Sequence, residues 1–434
     1  MFRFKASTTL IVAFASIILA APAFGYDKEK VLFRFNGTDG YQPSGALIFD
    51  KSGNLYGTTM IGGGAAATAT CAQQLDKKHG CGVVFELSPS ADGQWTETVL
   101  YTFCSQTHCV DGALPTGALI FDSAGNLYGT TLSGGVDGKG GSYNGVVYRL
   151  SPQADGTWQE KVLFAFDRPS VRGNPTGSLV FDSAGNLYGT TGEGVVFELV
   201  RGKNDTWSER ILYQCAGSPG PGSPPSSLAI DASGNLYGTT YLGGQSNDGT
   251  VYELSPGPNG TWTESTLLSF DGTNSGYPDS GVILDAAGNL YGTTAYGGHT
   301  SCTLGCGVVF ELTPGSQGQW TEKILRSFYQ EVVPDTGLIF DAAGNLYGTT
   351  HEGGQYNGGM VFELSPDGSG KWTQTTLHSF LFDSKVAGNG SYPVGGLILD
   401  DTGNLYGVTE GGGSQEGECS YYGSGCGVVF ELTP

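Results

Sequence analysis

Leu119-Ile120-Phe121-Asp122-Ser123-Ala124-Gly125-Asn126-Leu127-Tyr128-Gly129-Thr130-Thr131 has close copies throughout the 434-residue chain, and its Gly-Asn-Leu-Tyr-Gly core begins at Gly53, Gly125, Gly185, Gly234, Gly288, Gly344 and Gly403. Each copy reads as two short β-strands around a turn. An apolar run ends in Asp, two small residues and Gly-Asn follow, and a second run carries Tyr and Thr. Asp can accept from backbone amides just downstream of itself, and Gly-Asn tolerates the positive φ of a tight hairpin. A supersecondary unit repeated at this interval implies a propeller, a solenoid or an array.

Working outward from the second copy, strand A is Gly117 to Asp122 and strand B is Leu127 to Thr131. A Gly-rich loop from Leu132 to Asn144 leads to strand C, Gly145 to Leu150, and a turn at Ser151 to Thr157 leads to strand D, Trp158 to Phe166. Trp158, Val162, Phe164 and Phe166 fall on one alternating face of strand D. Period-two patterning broken by Gly and Pro at these intervals excludes helix and predicts a four-stranded antiparallel meander. Seven such units of about 58 residues predict an all-β, seven-bladed β-propeller.

The ends of the chain argue for a ring. Gly427 to Leu432 is a strand C with no strand D after it, whereas Lys30-Val31-Leu32-Phe33-Arg34-Phe35 aligns with Lys161 to Phe166. The N-terminal segment is therefore expected to supply the outer strand of the last blade and remove two open edges. All six tryptophans, Trp95, Trp158, Trp207, Trp262, Trp320 and Trp372, open a strand D. The expected blades are residues 45–103, 117–166, 177–215, 226–270, 281–328, 337–380, and 395–434 completed by 26–35, within one domain spanning 26–434. Cys215 takes the slot filled elsewhere by Phe and reads as a small buried hydrophobe.

Residues 1–25 carry Arg3 and Lys5, an apolar run from Leu10 to Ala21, and Ala21-Pro22-Ala23, the pattern of a secretory signal peptide cleaved after Ala23 or Gly25. An uncleaved anchor is the alternative, and no membrane span is expected after cleavage. Removing Arg3 and Lys5 leaves 18 basic against 41 acidic residues, a net charge of −23. Such a surface repels phosphate backbones, so nucleic acid is excluded as a partner. Export predicts a secreted or periplasmic protein, with a monomer expected. Eight of the nine cysteines fall into close pairs, Cys71 with Cys81, Cys104 with Cys109, Cys302 with Cys306 and Cys419 with Cys426, read as disulfides of an oxidising compartment. Zinc is the weaker reading, because no pair has a second pair or histidines at ligand spacing.

Phe-Asp-Ser-Ala-Gly-Asn-Leu-Tyr-Gly-Thr-Thr, paired with Gly-Val-Val-Phe-Glu-Leu-Ser-Pro, resembles the Gloeo/Verruco (GloVer) tandem-repeat family over nearly all of residues 30–434. The resemblance implies export and a propeller-like repeat. It brings no established activity and no catalytic residues.

The A to B turns are nearly uniform, whereas the B to C and D to A connections vary, and variable loops on a rigid scaffold are where binding usually resides. The residues leaving strand B toward that face are Met60, Leu132, Gly192, Tyr241, Ala295, His351 and Glu410. Tyr241, His351 with Glu352, and Glu410, together with Tyr296 and Tyr356, are the candidate ligand-binding residues. Aromatic faces beside carboxylates suit sugars, and the plainer reading is solvated loop decoration. The seven repeated aspartates from Asp50 to Asp400 read as a turn device, because a catalytic pair would break the symmetry. Their segment also lacks the ligand pattern of a calcium loop. No nucleophile elbow and no zinc-binding histidine pair occurs, so no catalytic residue, metal or cofactor is assigned. The expected function is a non-catalytic binding or scaffold module for extracellular or envelope polysaccharide. The alternative is a propeller hydrolase or lyase acting on a glycan.

Overall fold

The computed structural model describes residues 28–64, 80–135, 144–166, 173–214, 227–298, 306–329, 332–382, 389–414, 419 and 425–433. The signal-peptide segment, Cys71, Cys215 and Cys302 lie outside them. Seven four-stranded antiparallel sheets make up the fold. Blade one runs Tyr41–Phe49, Leu55–Ile61, Val83–Pro89 and Trp95–Thr102 from the axis outward, and blades two to six repeat this order. Blade seven takes Gly390–Leu399, Leu405–Gly412 and Val428–Thr433 from the C-terminus, and its outer strand is Lys28–Arg34. Val31 pairs with Phe430, Arg34 pairs with Val428, and Phe35 N donates to Gly427 O at 3.2 Å. The chain is thus a seven-bladed β-propeller closed by its own N-terminal strand.

The repeated Asp builds the A to B turn in full. In blade two, Asp122 Oδ1 accepts the amides of Ala124 and Asn126, while Oδ2 accepts Asn126 Nδ2 at 2.7 Å and the Tyr128 hydroxyl at 3.0 Å. Burial alone would raise the Asp122 carboxyl, but these four donors outweigh it and hold it below its ordinary value. Gly125 has φ of 84°, a left-handed conformation that glycine adopts without steric cost. Both oxygens of Asp122 are thus engaged within the turn.

Aromatic contacts join each blade to the next. The repeat tyrosine of one blade meets the tryptophan opening the next blade's outer strand, as in Tyr56 with Trp158 and Tyr128 with Trp207. The phenylalanine ending an outer strand packs on the following blade's third strand, as in Phe166 with Phe197. Phe35 does the same against Phe85, with centroids 5.1 Å apart, so the last blade is fastened to the first by the contact used elsewhere in the ring. Near the axis the strands meet backbone to backbone. A Cβ on Gly45 would lie 2.3 Å from the Gly117 carbonyl oxygen, and one on Gly395 would meet Gly45 at the same distance.

Two details differ from the sequence expectation. The innermost strands of blades one, two and seven start earlier, at Tyr41, Ala113 and Gly390, and pass a register irregularity before their apolar run. A bulge also interrupts the outer pair, with Tyr148 opposite Val162 but Val147 opposite Phe164. Leu163 is therefore buried together with Phe166, while Val162 and Phe164 are only half-buried. An extra residue in one strand reverses the alternation beyond it.

Cys104 is bonded to Cys109 and Cys419 to Cys426, and Cys81 and Cys306 are also disulfide-bonded. Bridges of this kind persist in oxidising compartments. No helix among the described residues is long and apolar enough to cross a membrane.

Candidate functional site

The seven innermost strands surround a central cavity of about 660 Å³, lined largely by glycine, alanine and hydroxyl side chains. A few aliphatic side chains complete the lining, and two of its residues are charged. The position after the proline that opens the innermost strand is Ser44, Thr116, Thr176 and Val394 in four blades, but Asp279 in blade five and Asp335 in blade six. Both aspartates line the cavity, on the face where the B to C and D to A connections emerge.

Their environments differ. Asp279 is open to the channel, yet protein crowds it closely enough that burial raises its carboxyl above the ordinary value. Burial pushes Asp335 up to about 6, opposed by the charge of His351 and reinforced by that of Asp279. Asp335 Oδ1 is buried without a hydrogen-bond partner.

Around these carboxylates, the residue leaving strand B of one blade meets the residue opening the innermost strand of the next. Tyr241 of blade four lies 5.3 Å from Tyr277 of blade five, ring to ring. His351 of blade six stacks on Tyr392 of blade seven at 4.9 Å and 24°. Glu410 of blade seven accepts Gln42 Nε2 of blade one at 2.8 Å. Tyr277, Tyr392 and Gln42 have φ between 54° and 59°, but so does Leu114 at the equivalent position of blade two. This backbone form therefore belongs to the architecture and is not strain confined to the site.

Of the sequence candidates, Tyr241 and Tyr296 come together through Tyr277, whose ring stands edge-on to Tyr296 at 5.4 Å. His351 Nε2 lies 3.5 Å from Glu410 Oε2. Glu410 raises the His351 imidazole's pKa, against burial, and Asp335 and Glu352 add to the effect. Glu352 is exposed, close enough to influence both His351 and Tyr392. Tyr356 is half exposed, and its backbone oxygen accepts Phe382 N at 3.1 Å, while the Phe382 ring packs edge-on against Tyr392. The sequence reading missed Asp279, Asp335, Tyr277, Tyr392 and Gln42. The signal available was the Pro-Asp pair at 278–279 and 334–335, which departs from the repeat. A tyrosine wall thus stands at one side of the channel mouth and an arc of carboxylates with one imidazole at the other. Such a site can stack against a flat apolar face and accept several hydrogen bonds.

No curated relative matches the chain in sequence. Two solved structures align at 14% identity with a TM-score of 0.37. One, provisionally named a gluconolactonase, covers 66% of this chain and 84% of its own. The other, a gluconolactonase from Xanthomonas campestris, covers 67% and 82%. Likeness at that level carries no argument about activity. The Gloeobacter/Verrucomicrobia repeat matches residues 22–198 and 189–421. The seven-bladed chain therefore belongs to the Gloeobacter/Verrucomicrobia repeat family.

Proposed function

We propose that the protein is an exported, monomeric binding module that holds a polysaccharide or envelope component at the mouth of its central channel, without catalysis. The observation that carries this reading is the loss of sevenfold symmetry there. Blades four to seven place Tyr241, Tyr277, Tyr296, Asp279, Asp335, His351 and Glu410 on one rim, while blades two and three present Leu132, Thr116 and Thr176 at equivalent positions. Aromatic faces with a few fixed polar groups suit a polyhydroxylated ligand. Export is supported by Arg3, Lys5 and the apolar run after them, and by the buried disulfides. The test is a polysaccharide array probed with mature protein. Retention on a glycan that is abolished in Tyr277→Ala supports the reading, and absence of binding to every glycan removes it.

A second reading, a glycan hydrolase or lyase, is favoured by one observation. Asp335 is raised to about 6 beside Asp279, and neighbouring carboxyls in unlike environments are how acid and base roles are divided. Product analysis on any array hit separates the two, because a binding module returns its ligand intact.

A further inference from the structure

The charge at the channel mouth narrows the ligand class. The residues that meet there include four carboxylates, Asp279, Asp335, Glu352 and Glu410, and among those named there is neither lysine nor arginine. The one basic group among these described residues, His351, already faces Glu410 at 3.5 Å. An independent observation concerns Asp335, a half-buried residue whose Oδ1 is itself out of solvent contact and lacks any hydrogen-bond partner. A buried acceptor left unmatched is costly, and a charged donor matches it best. Beside the carboxylates stand the half-buried rings of Tyr241, Tyr277 and Tyr296. Their faces attract cations as well as sugar C–H groups. A uronate or sulfated chain would bring like charge against this rim.

We propose that the channel mouth takes a glycan bearing unacetylated primary amines, with ammonium groups seated between the Tyr241, Tyr277 and Tyr296 wall and the carboxylates of Asp279 and Asp335. This rests on the glycan reading above and adds the charge of the sugar. Hydroxyls of the same sugar rings meet Glu410 and the tyrosine hydroxyls, and the amines distinguish this ligand from its acetylated form.

The experiment is calorimetric titration of the full mature protein with three probes, a glucosamine oligomer, its fully N-acetylated counterpart and an oligogalacturonate. All titrations are run just below neutrality, where the sugar amines carry charge, with EDTA so that no bridging metal contributes. The glucosamine oligomer is expected to bind roughly tenfold or more tightly than the acetylated one, and Asp279→Asn and Asp335→Asn are each expected to remove roughly tenfold of that affinity. Asp279 is exposed, so its variant keeps the fold even if Asp335→Asn does not. Equal or tighter binding of the acetylated oligomer or the uronate overturns the proposal but leaves the glycan reading standing. Unchanged glucosamine binding by Asp279→Asn also overturns it. Failure of all three probes to bind removes both.

Discussion

His351 Nε2 faces Glu410 Oε2 across the boundary between blades six and seven, at 3.5 Å, with the imidazole also stacked on Tyr392. The pairing raises the histidine's pKa, chiefly through Glu410. Glu410→Gln removes the charge while keeping the shape of the side chain. The His351 pKa should then fall toward its ordinary value of 6.5, as read from an NMR titration of the ring protons. An unchanged value would mean that Glu410 does not hold the imidazole in solution.

Ring closure is tested at Phe35. Its ring is fully buried between Phe33 and Phe85, at 5.2 and 5.1 Å. Phe35→Ala is expected to destabilise the protein by about 3–5 kcal/mol, as does truncation of a core phenylalanine generally. Phe166→Ala, in the equivalent slot of blade two, should cost a similar amount in chemical denaturation. An N-terminal segment that merely trailed from the ring would leave Phe35→Ala neutral.

The same equivalence shows what the sequence made legible. The turn at Asp122 and the alignment of Lys30 to Phe35 with Lys161 to Phe166 are properties of local chemistry and period-two patterning, so blade number and closure could be read directly. Tyr241, His351 and Glu410 could be read as the unlike members of one repeat position. Their partners could not, because Tyr277, Tyr392 and Gln42 belong in each case to the next blade, and no single repeat contains that contact. Asp279 and Asp335 were hidden because the segment opening the innermost strand read as loop. The burial of Leu163 was hidden because one extra residue in the outer pair reverses the alternation.

The turn aspartates make a separate prediction. Asp182 accepts the Ala184 and Asn186 amides, Asn186 Nδ2 and the Tyr188 hydroxyl. Asp182→Ala leaves these donors unmatched and should cost about 2 kcal/mol, while glycan retention at the opposite end of the channel stays unchanged. Lost retention in a folded variant would give the repeated aspartates a part in binding that the geometry does not.

Stability should peak on the acid side of neutrality. Burial, with Asp39 adding, raises Glu97 to about 7, and burial, with Asp111 adding, raises Glu160 to about 8. A carboxyl raised in the folded state stabilises fully below its ordinary value of 4.5, and that contribution is lost as pH rises through the folded value. Asp205 behaves oppositely. Lys161 and Arg149 hold it down to about 2 against burial, so its contribution is present at neutral pH and is lost as pH falls below about 4. Relief of self-repulsion in a chain this acidic acts in the same direction as Glu97 and Glu160. Tm is therefore expected to rise by a few degrees from pH 8 to pH 5 and then to fall in stronger acid. A monotonic decline from pH 8 downward would contradict these assignments.

The most direct test of the account makes the ring symmetric again. Asp279→Ser with Asp335→Thr gives blades five and six the residue types that Ser44 and Thr116 supply elsewhere, and it removes a buried carboxylate oxygen that lacks a partner. Tm is measured together with retention on the array glycan that the unaltered protein holds best. An equal or higher Tm is expected, because groups kept for binding commonly cost stability, together with loss of most of the retention. Full retention by the folded double variant would contradict the claim that the binding site lies at the channel mouth.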